Sequence, residues 1–117
     1  MSNLESRIQQ ACVRWFRIQH RKIGNLLFAV PNGGKRGRVT AAILKGEGVV
    51  AGVSDLLLLY PTKKYGALCI EMKTPQGRQS KSQKEWQALV EKAGYKYVVC
   101  RSIDDFMKEV NDYLNEG

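Results

Sequence analysis

Ser54-Asp55-Leu56-Leu57-Leu58-Leu59-Tyr60 and, beyond Pro61-Thr62-Lys63-Lys64-Tyr65-Gly66, Ala67-Leu68-Cys69-Ile70-Glu71-Met72-Lys73 form the stretch on which the fold turns. Two apolar runs of strand length, joined by a short connection bounded by Pro and Gly, predict an antiparallel hairpin with strands over Asp55–Tyr60 and Ala67–Lys73. If the connection is symmetric about Lys63, residues equidistant from it face one another, and Asp55 stands opposite Glu71. Directly opposed side chains have Cβ atoms about 4.5 to 5.5 Å apart, so two acids placed this way repel unless something neutralises them. A hard divalent cation, bound by oxygens at about 2.1 Å, would do so. Lys73, two residues beyond Glu71, points to the same face by the alternation of a strand. An acid, one spacer and a lysine are a weak signal alone, and the plain reading is the polar face of an edge strand. Glu71, however, interrupts a very apolar strand, where an acid is rarely buried without a partner.

Working outward, Leu4, Ile8, Ala11, Cys12, Trp15 and Ile18 have the spacing of an amphipathic helix over about residues 3–20, and Ser2 with Glu5 resembles a capping box. Leu26–Val30 reads as a short strand ended by Pro31-Asn32-Gly33-Gly34. A basic loop, Lys35–Arg38, precedes a short helix over Val39–Lys45 that Gly46 ends, and residues 48–52 read as irregular. Ser80 or Ser82 caps a helix carrying Trp86, Leu89, Val90 and Ala93 on one face and stopping at Gly94. Tyr97–Cys100 is a further strand, and Ser102 caps a last helix with Phe106, Val110, Tyr113 and Leu114 inward. The order αβ(α)ββαβα predicts an α/β fold: a mixed sheet flanked by helices, one domain over residues 1–117.

Composition narrows the classes. Hydrophobic residues at 44% and charged residues at 26% are the balance of a folded protein. No apolar run approaches the ~20 residues of a membrane span, and no basic segment leads into an apolar one at the N-terminus, which predicts a cytoplasmic protein without a membrane partner. Nineteen Lys and Arg against eleven Asp and Glu give a net charge of +8. An excess that large attracts polyanions, with nucleic acid as the leading partner. The basic residues are spread along the chain rather than gathered on one amphipathic helix, which argues against a membrane surface. Cys12, Cys69 and Cys100 are odd in number, distant and set in apolar stretches, so they read as reduced core residues. His20 is the single histidine, which excludes His-cluster metal sites; a metal here is held by oxygen.

With these residues in place, the sequence resembles the VRR-NUC family of the PD-(D/E)xK nuclease superfamily over nearly its whole length. The resemblance is carried by Glu5 in the first helix, Pro31-Asn32-Gly33-Gly34 with its basic residues, Ala42 to Gly48, Gly52-Val53-Ser54-Asp55, Ile70-Glu71-Met72-Lys73-Thr74, and Ser82-Gln83 with Trp86. Ser54 stands where the family has proline, a backbone element rather than a ligand. The resemblance implies a restriction-endonuclease-like fold and a Mg²⁺ or Mn²⁺ site made of Asp55, Glu71 and the Met72 carbonyl, with Glu5 as a further acid. It also implies a catalytic Lys73 and a supporting Gln83. Glu5 is equally explained as the reciprocal acid of the Ser2 capping box, and Gln83 as that of a Ser80 box, although Gln83 also stands one turn before Trp86 and so can face the sheet.

The glycine loop is the other candidate. Gly33-Gly34-Lys35-Arg36 fails the phosphate-loop spacing, so nucleotide triphosphate binding is not supported and no nucleotide cofactor is expected. Glycines that admit backbone N–H groups, with Asn32, Lys35, Arg36 and Arg38 alongside, instead suit the DNA backbone, and a flexible turn with solvated charges is the plain alternative. The resemblance implies, for a stand-alone member, an association with branched DNA, four-way junctions in particular, and action as a homodimer; the expected setting is the cytoplasm of a bacterial or phage-infected cell. A chain with one site cannot make two symmetric cuts alone, so a two-fold dimer is the economical arrangement. The expectation is therefore a metal-dependent endonuclease resolving junctions. The alternatives are a DNA-binding module that keeps the fold without catalysis, a nuclease of flaps or other branched DNA, and a small structural or interaction protein that is basic by accident.

Overall fold

The computed structural model describes residues 3–31 and 38–116. Its elements are α1 (Asn3–Gln19), a 3-10 helix (Arg21–Leu26), β1 (Leu27–Ala29), α2 (Arg38–Gly46), β2 (Leu56–Leu58), β3 (Leu68–Met72), α3 (Lys81–Lys92), β4 (Lys96–Cys100) and α4 (Ile103–Asn115). The strands lie in the order β1-β2-β3-β4, antiparallel across the first two pairs and parallel between β3 and β4. A parallel pair needs a crossover, and α3 is that crossover. The fold is thus the mixed α/β sheet expected, with a 3-10 turn that the apolar pattern around Leu26 did not announce.

The register Leu56↔Ile70 and Leu58↔Leu68 is the pairing symmetric about Lys63. The strands themselves are shorter than their apolar runs. Asp55 lies in a bend before β2; beyond Leu58, Leu59 N–H still donates to Leu26 C=O at 3.0 Å in the β1–β2 register, and the Tyr113 hydroxyl of α4 donates to Tyr60 C=O at 2.6 Å. Leu26 and Val30 likewise fall outside β1, Ala67 and Lys73 outside β3, while β4 gains Lys96.

Strand alternation divides the sheet into two unlike faces. Leu56, Leu58, Leu68, Ile70, Met72, Val98 and Cys100 point to one side and form the core with Cys12 and Phe16 of α1 and Phe106, Val110 and Tyr113 of α4. By the same alternation Leu57, Cys69, Glu71 and Tyr97 point to the other side, where the Trp86 ring of α3 meets Tyr97 edge-on at 6.2 Å. On α3 only Ser82, Gln83, Trp86, Gln87 and Val90 turn inward, each half-buried. Leu89, expected on that face, is 66% exposed, and Ala93 is exposed as well. The inward line follows the helical repeat from Gln83, and Leu89 lies off it. In α1, Leu4 and Ile18 also stand outside the packed stripe, exposed at its two ends. On α4 the expectation holds for Phe106, Val110 and Tyr113, with Leu114 half-buried. All three cysteines are buried and free, and burial pushes the Cys12 and Cys100 thiols up to about 12 and Cys69 to about 11, which keeps them protonated. No described helix is long and apolar enough to cross a membrane.

Gly52 joins the loop before Asp55 to the start of α3. Its φ of +87° is left-handed, and a Cβ there would collide with the Ser82 carbonyl and lie 2.8 Å from the Gln83 nitrogen. Gly48 has a similar φ, +104°, but open space around it. Gly48→Ala is expected to lose about 1 to 2 kcal/mol from the left-handed backbone alone. Gly52→Ala is expected to lose ~3 kcal/mol or more, because two backbones must separate as well. Urea denaturation of both variants checks this; equal losses would show that the close approach is not tight.

Candidate active site

Asp55 is held from both ends. Its backbone C=O accepts from Val30 N–H at 2.9 Å, and its Oδ2 accepts from Met72 N–H at 2.8 Å. The carboxylate thus continues the β2–β3 ladder past the last backbone pair and lies against Glu71. Ser54, fully buried beside it, donates its hydroxyl to Leu56 C=O at 3.1 Å. The bend that presents Asp55 is therefore fixed without a proline.

Glu71 is 1% exposed. Its Oε2 accepts from Gln83 Nε2 at 3.1 Å, and its Oε1 from the Tyr97 hydroxyl at 3.4 Å. Lys73 Nζ stands 3.9 Å from Oε2, with the lysine side chain 13% exposed. Burial first, and then the hydrogen bond and charge of the neighbouring Asp55, push the Glu71 carboxyl up to about 8, against the opposing pull of Lys73 and Tyr97. Burial and the Glu71 charge push the Tyr97 phenol up in turn. Tyr97 is itself braced: Gln79 Nε2 donates to its hydroxyl at 3.2 Å and to Gln87 Oε1 at 2.9 Å.

Gln83 meets both expectations for it at once. Its Oε1 accepts from Ser80 N–H at 2.8 Å and its own N–H donates to Ser80 Oγ at 3.2 Å, completing a capping box. The same amide, in the one orientation that serves both partners, turns its NH₂ to Glu71. The cap thereby aims the side chain, and Ser80 rather than Ser82 supplies it.

The structure brings together Asp55, Glu71, Lys73 and Gln83, with the Met72 backbone between the acids. Glu5 stands half-buried in the first turn of α1. Among the described residues no three His, Cys, Asp or Glu side chains gather in a group that would hold a metal ion, so the acids that meet are a pair. Ser2, Asn32, Gly33, Gly34, Lys35, Arg36 and the side chain of Arg38 lie outside the described residues. Sequence reasoning missed Tyr97, which read only as the first residue of a strand. Its signal was a hydroxyl that must find a partner once buried, but the partner is set by the parallel β3–β4 register, which no local pattern shows.

Two opposed carboxyl groups are a hard-oxygen donor set, and the mutual repulsion that helps hold a proton on Glu71 is what a divalent cation of Mg²⁺ or Mn²⁺ type would relieve. An ammonium beside them suits an anion that gains charge during reaction. Comparisons with known proteins bear on the family and the fold. The family model described as the VRR-NUC domain matches residues 3–104, from α1 to the first turn of α4. A solved structure described as a VRR_NUC domain protein superposes with a TM-score of 0.86 at 26% identity, covering 100% of this chain and 93% of that one. Among curated proteins no sequence matches the chain.

The Glu71 environment sets a pH dependence. A carboxyl held near 8 in the folded chain, against an ordinary 4.5, binds its proton more tightly folded than unfolded. Its contribution to stability is complete below about 4.5 and is lost as pH rises through about 8. Without divalent ions, the melting temperature of the wild type should therefore fall between about pH 5 and about pH 9 by more than that of Glu71→Gln, whose amide does not titrate. Parallel curves for the two proteins would contradict the buried, proton-holding carboxyl.

Proposed function

This chain belongs to the VRR-NUC domain family, a nuclease fold, and we propose that it is a divalent-metal-dependent endodeoxyribonuclease that resolves four-way DNA junctions as a homodimer. The observation that carries the catalytic part is the convergence of Asp55, Glu71 and Lys73 on the α3 side of one hairpin, with Glu71 buried against Asp55. Asp55, Glu71 and the Met72 carbonyl would hold Mg²⁺ or Mn²⁺, with Glu5 as the further acid that the family pattern offers. Bound there, such an ion supplies positive charge to a phosphodiester and acidifies a water. Gln83 and Tyr97 each donate to one oxygen of Glu71 and fix the plane of its carboxylate. Lys73 presents an ammonium, partly shielded from solvent, for the charge that develops on the phosphoryl oxygens.

Charge distribution supports DNA as the substrate. The excess is uneven: residues 1–45 hold nine Lys and Arg against one acid, Glu5, whereas residues 46–117 hold ten of each sign. Residues 1–45 therefore carry the whole net charge of +8, and the glycine loop with Asn32, Gly33, Gly34, Lys35, Arg36 and Arg38 lies among them. Those residues are assigned to the DNA backbone. Pairing of two chains is supported by α2, where none of residues 39–46 is buried and Val39 and Ile43 are 74% and 55% exposed. Val49 and Val50 add to this apolar surface. Two like-charged chains need such a contact to associate.

Purified protein assayed on linear duplex, flap, fork and four-way junction DNA, with Mg²⁺, Mn²⁺ or chelator, tests the reading. Junction cleavage that chelator abolishes is expected. Asp55→Ala and Glu71→Ala should each lower it by at least ~1000-fold, and Lys73→Ala by about 100-fold. Cleavage that survives Asp55→Ala or Glu71→Ala would remove that residue from the site, and absence of cleavage on every substrate would favour a binding module. The dimer has its own test: a mixed pair with one Glu71→Ala subunit should nick a junction once without resolving it. Resolution by the mixed pair, or equal cutting of duplex and flap, would overturn the junction assignment.

A further inference from the structure

After β3 the chain turns through Thr74-Pro75-Gln76-Gly77, closed by Gly77 N–H to Thr74 C=O at 3.0 Å. Pro in the second place and Gly in the fourth favour such a turn. The turn folds back onto the lysine: a Cβ on Gly77 would lie 3.4 Å from Lys73 Cδ and 3.1 Å from Thr74 Oγ1. One backbone hydrogen bond is a weak hold on a surface turn.

A second hold comes from β4. Met72 pairs with Cys100, and Lys73 N–H donates to Cys100 C=O at 3.0 Å, so Arg101 leaves the sheet beside Lys73. Its Nη1 donates to Thr74 C=O at 2.7 Å and Gly77 C=O at 2.6 Å, with Pro75 C=O at 3.3 Å. Its own N–H donates to Asp105 Oδ2 at 2.9 Å, in the first turn of α4. Hydrogen bonds from a charged donor are about twice as strong as neutral ones. Among the ion pairs of the described residues none involves Arg101; the two hydrogens of its Nη1 are directed to the Thr74 and Gly77 carbonyls, with Pro75 C=O a longer contact.

We infer that Arg101 is a positioning residue, clamping the Thr74–Gly77 turn against the Lys73 stem so that the ammonium stays at Glu71. The inference rests on the reading of Lys73 as catalytic. Without the clamp the turn opens, the stem gains rotamers, and the ammonium leaves the place where charge develops. Misplacement of a reacting group by about 1 Å lowers rates by about 100-fold.

The test uses Arg101→Ala, Arg101→Lys, Lys73→Ala and the Arg101→Ala/Lys73→Ala double variant, with single-turnover cleavage of junction DNA and DNA affinity at several salt concentrations. Arg101→Ala should lower the rate by about 10- to 100-fold, leave affinity and its salt slope unchanged, and add nothing to Lys73→Ala. Arg101→Lys should recover part of the rate, since an ammonium has three donors for the same carbonyls. Two readouts need no activity: amide exchange at Gly77, and acylation of the Lys73 amine followed by peptide mass spectrometry, should both speed up in Arg101→Ala. If that variant does not fold, intermediate exchange and acylation in Arg101→Lys carry the test. Additive effects with Lys73→Ala, or unchanged Gly77 exchange, would overturn the inference. Weaker DNA binding with a flatter salt slope would instead make Arg101 a phosphate contact. If the wild type cuts no DNA, the nuclease reading fails, and the exchange and acylation rates still decide whether Arg101 holds the turn and the lysine.

Discussion

A carboxylate buried in an apolar strand needs partners, and the arrangement around Glu71 is the answer to that need. Leaving water is costly for a charge, and a second acid alongside makes it costlier. The donors and the cation around Glu71 answer that constraint, while Asp55 maintains it. Gln83 and Tyr97 give one donor to each oxygen, Lys73 supplies opposite charge, and Asp55 is tied to Met72 N–H so that it cannot swing away. The elements that deliver these groups are different: a capped helix start, a parallel strand, the end of β3 and the bend before β2. The sheet topology is what brings them to one point.

The two faces of the sheet share the work unequally. The side covered by α1 and α4 holds the apolar core, from Leu56 to Tyr113. The side under α3 holds Glu71 and Tyr97 beneath a helix that buries none of its residues fully. Large apolar burial on one face can offset the electrostatic cost kept on the other. The Gly52–Ser82 approach and the Arg101 guanidinium belong to the same frame, because each meets the backbone of a loop next to the acid pair, the first by close packing and the second by hydrogen bonds to carbonyls.

Much of this was legible in the chain. Strand alternation and the symmetric connection placed Asp55 opposite Glu71 and Lys73 on their side, because register follows from period and turn length. The capping box at Ser80 was legible for a similar reason, as a local pattern of spacing. Tyr97, Arg101 and the exposure of Leu89 were not. Tyr97 and Arg101 depend on the parallel pairing of β3 with β4, a long-range contact made through a crossover. Leu89 has an apolar side chain at helical spacing from Trp86, yet the strip that α3 covers is only wide enough for the line through Gln83, Trp86 and Val90. Gln83 shows the limit of choosing between roles from sequence, since one amide serves the helix cap and the acid together.

The central claim is that Asp55 and Glu71 are a cation site whose mutual repulsion is relieved by binding. Titration of the protein with Mn²⁺, followed by the electron paramagnetic resonance of the free ion, tests it without reference to cleavage. Saturable binding is predicted for the wild type and for Lys73→Ala, whose ammonium is no ligand, and its loss is predicted for Asp55→Asn and for Glu71→Gln. Equal Mn²⁺ binding by wild type, Asp55→Asn and Glu71→Gln, or no saturable binding by the wild type, would contradict it.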